Sequence, residues 1–187
     1  AFNASLAIAL ANKLEIDLEK FIQGLGNIQI PGRMQPVLIP GAPLAIVDYA
    51  HSPEAIENVL TTLRKETRGN LITIIGAGGN RDREKRPKMG SAVEKFSDLI
   101  IVTDDNPREE NPKEIRETVI SGISSKNKVL EIENRKDAIS KAISIATELD
   151  TIAVLGKGHE NYQEIKGEIF PFNDYLITKS LMEEKYK

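Results

Sequence analysis

The chain contains no cysteine, no tryptophan and only two histidines, His51 and His159, in 187 residues. Each absence removes a class of function. Without cysteine there is no disulfide framework, no thiolate metal site and no cysteine nucleophile, and a cytoplasmic, reducing compartment is the expectation. Neither histidine has a partner at metal-ligand spacing, so no metal site is expected in this chain. Charge of one sign is lacking too: the formal net charge is −3 with acids and bases interspersed. No basic footprint for nucleic acid or an anionic membrane stands out, and neither is expected as a partner. No apolar run is long enough to span a bilayer, and the opening "AFNASLAIALANKLEI" has no basic segment. What is present is an ordinary globular composition, 40% hydrophobic and 28% charged. That suffices for a real core in one full domain with a small extra piece. The first residue is alanine rather than methionine, so a piece of something longer is expected.

Ser5 to Gly24 read as one amphipathic helix or a helical pair, with Leu6, Ala9, Leu10, Leu14, Leu18 and Phe21 at helical spacing. "GNIQIPGRMQPV" breaks the pattern with Gly and Pro and is expected to be a hinge or domain border. Strand and helix then alternate. "LAIVDYA", "NLITIIGA", "DLIIVTD", "KVLEIE" and "TIAVLG" are strands. "SPEAIENVLTTLRKE" is a helix with Ser52 as N-cap and Pro53 at its first position. Further helices run from about Pro87 to Phe96, over "NPKEIRETVISGIS" behind Asn111, and over "RKDAISKAISIATEL". "NYQEIKGEIFPFND" reads as a closing hairpin and "DYLITKSLMEEK" as a last helix. The pattern predicts an α/β, Rossmann-like fold: a mostly parallel sheet with helices on both faces and a terminal hairpin. In such sheets ligands lie beyond the carboxyl ends of the strands. The polar clusters "DYAHSP", "GAGGNRDREKRP", "TDDNPR" and "GKGHENYQ" each follow a strand's carboxyl end, so they are expected to converge.

Each cluster has a bland reading and a chemical one. "IIGAGGNRD" suggests a dinucleotide fingerprint, but the third glycine position falls on Arg81, whose bulk spoils close helix–strand packing. A plain glycine-rich turn leaves Arg81, Arg83, Lys85, Arg86 and Lys88 unexplained; an anion-facing loop explains them better. "GKGHE" is too short for a Walker A loop; its glycines let backbone approach a ligand, and Glu160 supplies charge. His51 is a packed or capping histidine, or with Asp48 a ribose or adenine contact. Asn106-Pro107 is a good turn initiator. Alternatively, Asp105 accepts from an ammonium and Arg108 takes a carboxylate bidentately, the two charges of an amino-acid end group.

Taken together, "PGRMQPV", "VDYAHSPEAI", "GAGGNRDREKRPKMG", "TDDNPREENP" and "GKGHENYQ" resemble the carboxy-terminal domain of the Mur ligase family, MurE type, over essentially the whole chain. The resemblance implies an ATP-dependent amide ligase of peptidoglycan synthesis, which adds meso-diaminopimelate to UDP-N-acetylmuramoyl-L-alanyl-D-glutamate (UDP-MurNAc-L-Ala-D-Glu) through an acyl-phosphate. In the family the "DNPR" form goes with meso-diaminopimelate, and other residues at the Arg position with L-lysine. With lysine Arg108 is expected to sit desolvated and unpaired, at a cost of about 1–3 kcal/mol or more. Matched position by position, Arg81 is a substrate carboxylate ligand, Asp105, Asn106, Pro107 and Arg108 form the specificity motif, and Gly156 and Glu160 hold the amino acid's distal end. Arg33, Asp48 and His51 match ATP contacts, and Asn3 an ATP-contacting residue of the central domain's last helical region.

The family's phosphate loop, magnesium ligands and carbamylated lysine belong to a central domain and are not in this sequence. Residues 1–30 are thus expected to be the end of that domain and 31–187 the carboxy-terminal domain. ATP and Mg2+ are expected to bind mainly outside the chain, no catalytic residue is expected in it, and a monomer is the family's expectation. A lysine-adding Mur ligase domain, a folylpolyglutamate-type ligase domain and a stand-alone amino-acid-binding module remain open.

Overall fold

The computed structural model describes residues 2–26 and 28–186, with backbone alone for residues 2, 3 and 26. It divides at Ile30 and Pro31 into two compact units. The first holds helices α1 (Phe2–Lys13) and α2 (Leu18–Gly26). Of the two arrangements open for Ser5 to Gly24, the pair is the one found. Glu15 takes a left-handed φ of 56°, and Glu15 N–H and Ile16 N–H return to the carbonyls of Asn12 and Ala11. That closure ends α1. Asp17 then opens α2, its Oδ1 accepting from the amides of Glu19 and Lys20.

The second unit contains β1 (Gln35–Val37), β2 (Leu44–Asp48), α3 (Pro53–Glu66), β3 (Leu71–Ile75), α4 (Lys85–Glu94), β4 (Leu99–Val102), α5 (Pro112–Ser121), β5 (Val129–Glu131), α6 (Arg135–Ile145), β6 (Thr151–Leu155), β7 (Tyr162–Ile165), β8 (Glu168–Pro171) and α7 (Asp174–Tyr186). The main sheet runs β1-β2-β6-β3-β4-β5, antiparallel only at β1, and β7 and β8 form a separate hairpin. The α/β, Rossmann-like expectation holds. Ser52 and Asn111 cap α3 and α5 with their side chains, each ahead of a proline.

Some boundaries differ from expectation. β1 lies inside the segment read as a hinge; its three residues include Pro36, which only an edge strand tolerates. Helix α4 starts two residues before Pro87 and stops short of Phe96, with the proline in its first turn. Helix α6 ends at Ile145, four residues before Leu149.

Connectivity decides which helix covers which face. From β2 the chain moves outward through β3, β4 and β5, then returns to lay β6 between β2 and β3. Right-handed crossovers put helices of opposite travel on opposite faces. Accordingly Ile56, Leu60, Met89, Val93, Ile115 and Val119 of α3 to α5 pack in one cluster with Leu71, Ile75 and Leu155. Ile139 and Ile143 of α6, with Met182 of α7, pack in the other against Ile72, Ile74 and Val154. Strands covered on both faces are mostly apolar, with Asp48, Thr73 and Thr151 as buried exceptions, and burying each large apolar side chain contributes about 1.5–3 kcal/mol.

Candidate functional site

A cavity of about 410 Å3 opens at the carboxyl ends of the strands. Its walls are Tyr49 and His51 after β2, Gly76 to Gly78 and Arg81 after β3, Asp105, Asn106 and Arg108 after β4, and Gly156 and Glu160 after β6, with Lys85, Met89 and Tyr162 beside them. The four polar clusters therefore meet. Close backbone approach makes this possible: a Cβ on Gly79 would overlap the Pro107 carbonyl, and Gly156 turns at φ 117° against Asp105.

One corner is acidic and built on a lysine. Lys157, fully buried, donates to Asn106 Oδ1 at 2.9 Å and Glu160 Oε2 at 3.1 Å, and lies 3.9 Å from Asp105 Oδ1. Asn106 Oδ1 also accepts from the Glu164 amide, which leaves its Nδ2 to donate to Glu160 at 2.8 Å. Three polar side chains are locked by one ammonium.

The other corner is basic. Arg108 has a left-handed φ of 52°, pairs through Nε with Glu164 at 3.0 Å and donates through Nη1 to the Gly79 carbonyl at 2.9 Å. The expectation of a guanidinium left unpaired by lysine is thus corrected: even without a ligand Arg108 has two protein partners. The reason is the hairpin, whose Glu164 lies too far along the sequence to have been weighed against it.

The basic loop divides. Arg86 is buried and bonds Glu110 with both terminal nitrogens, at 2.9 and 3.1 Å, and also the Gly78 carbonyl. Arg83 joins Glu110 from outside at 2.9 Å. Hydrogen bonds from Arg86 hold the Glu110 carboxyl down at about 2. Only Arg81 and Lys85 face the cavity, and Lys88 is exposed and does not line it, so the five cations do not form one anion-facing loop. The adjacent acids divide as well. Asp105 faces the cavity, while Asp104 pairs with Arg116; burial pushes the Asp104 carboxyl up, with Arg116 opposing.

Beneath the floor, Arg135 bonds Asp174 through Nε and Nη2, both at 2.8 Å, and the Leu155 carbonyl at 2.9 Å. Both charges are fully buried. Burial opposes the guanidinium's charge, but Asp174, with Asp105 and Glu160 further off, holds its pKa above the ordinary value.

Arg33 and Asp48 flank the cavity without lining it. Asp48 accepts from the amides of Met34 at 2.7 Å and Ala50 at 2.8 Å, so its carboxylate fastens the turn that carries Arg33. The Arg33 guanidinium lies 4.7 Å from the centroid of Tyr49, whose ring meets those of His51 and His159. Pro107 is buried in the loop and does not line the cavity. The Asn3 side chain falls outside the described residues. Sequence reasoning missed Lys157, Tyr49 and Tyr162, while Lys85 was named in the basic loop and does line the cavity. The signal for Lys157 was present, a lysine between glycines directly after a buried strand.

The sheet, the switch of strand order and the loops at its carboxyl ends define a doubly wound α/β domain with a ligand cavity at the switch point. The chain belongs to the Mur ligase family: residues 32–158 match the domain described as "Mur ligase, glutamate ligase domain". It is 51% identical over 182 residues to the UDP-N-acetylmuramoyl-L-alanyl-D-glutamate--2,6-diaminopimelate ligase of Aquifex aeolicus, covering 97% of this chain and 38% of that protein. To the ligase of the same name from Coxiella burnetii it is 43% identical over 185 residues, again 97% of this chain and 38% of the other. A solved structure of a ligase so named superposes with a TM-score of 0.79 at 37% identity, covering 97% of this chain and 37% of that one. The fold alone is shared with the UDP-N-acetylmuramate-alanine ligase of Thermotoga maritima, TM-score 0.63 at 20% identity, 96% of this chain and 35% of the other. The chain thus spans just under two-fifths of the relatives it matches.

Proposed function

We propose that residues 31–187 receive the incoming amino acid in an ATP-dependent amide ligase of peptidoglycan synthesis, and that this amino acid is meso-diaminopimelate, joined to UDP-MurNAc-L-Ala-D-Glu. One observation carries the reading: a single cavity holds Asp105 and Glu160 on one side and Arg81 and Arg108 on another. Carboxylates suit the ammonium of an amino-acid end group and guanidiniums its carboxylate. Two relatives that match nearly the whole chain carry diaminopimelate in their names.

In this role the domain does no covalent chemistry. It orients the amine toward an activated carboxyl and excludes water while the bond forms, which is a positioning contribution. Arg33, with Tyr49 and His51, offers a cation and two rings packed edge to face, suited to a nucleotide's phosphate and base. Asn3 is assigned the same ligand on the family match alone. Among the described residues no three of His, Asp or Glu gather as a metal site, Mg2+ is assigned mainly to the preceding domain, and no step is assigned to a metal here. Residues 1–30 are assigned to the end of the preceding ATP-binding domain, the protein to the cytoplasm and its state to a monomer. Among the described residues no helix is long and apolar enough to cross a membrane.

Phosphate release by the full-length protein, with an amino-acid panel, tests the reading. Meso-diaminopimelate should drive turnover and L-lysine should drive it at least about tenfold less well, because lysine brings no second carboxylate to Arg108 and a hydrogen bond to a charged group is worth about 1.5–3 kcal/mol. Equal turnover with both rejects the assignment.

A further inference from the structure

We infer that Glu164, on the hairpin rather than on any strand-end loop, is a positioning residue for specificity: its carboxylate engages Nε of Arg108 so that the terminal nitrogens face the ligand's second carboxylate. This rests on the amino-acid-binding reading above.

The loop that carries Arg108 is not held by its own strand alone. Arg108 N–H donates to the Glu164 carbonyl at 3.1 Å, and Lys166 N–H donates to the Arg108 carbonyl at 2.9 Å. Upstream, Gln163 Nε2 donates to the Asp105 carbonyl at 2.6 Å, and the Glu164 amide donates to Asn106 Oδ1 at 3.0 Å. Glu164 therefore touches the loop with its amide, its carbonyl and its side chain. The grip matters because Arg108 sits at a left-handed φ, which costs a non-glycine residue about 1–2 kcal/mol when nothing holds it there.

The guanidinium is a rigid fork, so fixing two of its nitrogens fixes the direction of the third. The Glu164 carboxylate holds the Nε edge as an ion pair at 3.0 Å, and the Gly79 carbonyl takes one hydrogen of Nη1. Among the described residues Nη2 is hydrogen-bonded to no acceptor, and Arg108 lines the cavity. With side chains 19% and 29% exposed, the Arg108–Glu164 pair adds little to stability. Its consequence is orientation.

Calorimetric titration of the chain and two variants with meso-diaminopimelate and L-lysine tests this. Glu164→Ala should weaken meso-diaminopimelate about tenfold and leave lysine within about twofold, because only the former needs the aimed fork. Glu164→Gln keeps an oxygen beside Nε and should stay within about threefold of the parent chain for both ligands. An unchanged preference in the alanine variant overturns the inference, as does tighter diaminopimelate binding, which makes Glu164 a competitor. Parallel weakening of both ligands, or a glutamine variant as poor as the alanine one, overturns it too. If the parent chain itself shows no preference, the binding reading has failed, and the inference goes with it.

Discussion

The Lys157 ammonium lies 2.9 Å from Asn106 Oδ1, so the loop after β6 reaches across and fixes an amide on the loop after β4. Removing one partner from such a buried ionic cluster strands the other charges and costs about 3–5 kcal/mol. Lys157→Met should lose stability of that order in urea unfolding at pH 7. A loss below about 1 kcal/mol, the range of an ordinary surface pair, contradicts a lysine that organises the corner.

Glu110 links stability to pH. Its carboxyl titrates at about 2 in the folded chain against 4.5 ordinarily, because Arg86 bonds it. A depressed carboxyl stabilises above its unfolded value, and the contribution fades as pH falls from 4.5 through about 2. The lowering is worth at most about 3 kcal/mol at neutral pH, supplied chiefly by Arg86 with help from the Asn80 amide and Arg83 and reduced by solvent screening. Glu110→Gln should therefore cost up to that much at pH 7, with the gap to the parent chain narrowing toward pH 2. Urea melts at several pH values measure it; a constant gap contradicts the linkage. Glu94, held below the ordinary carboxylate value chiefly by the Ser124 amide, also loses its contribution as pH falls, equally in both chains.

Asp174→Ala leaves the buried Arg135 guanidinium without its carboxylate beneath the cavity floor. A fall in stability of about 3–5 kcal/mol is expected, read as a lower urea midpoint. Because Arg135 also holds the Leu155 carbonyl, amide exchange at the end of β6 should accelerate with it.

Arg108→Ala in the full-length protein should raise KM for meso-diaminopimelate sharply and leave KM for ATP within about twofold, since it removes a contact to one substrate only. Comparable shifts in both constants contradict a dedicated amino-acid socket.

The sheet was legible because strands buried on both faces read as nearly continuous apolar runs, "LITII" and "TIAVL" among them, each interrupted by one threonine. β1 was not, because three residues containing Pro36 carry no period. The convergence of the loops followed from topology alone. What sequence could not show is how charges divide between ligand and scaffold. Arg86 and Arg81 look alike in "NRDREKR", yet one is spent on Glu110, 24 residues away, and the other lines the cavity. Lys157 and Glu164 act through partners 51 and 56 residues distant, at separations no local pattern records.

The last strand of the sheet to be made, β6, is inserted between β2 and β3. Without residues 151–155 the pair β1-β2 and the trio β3-β4-β5 share no strand, and Tyr49 and His51 are carried by one group while the loops after β3 and β4 are carried by the other. A chain without residues 151–155 therefore keeps the wall formed after β3 and β4 but loses the strand that unites it with the turn after β2, and with that strand the support for Gly156 and Glu160.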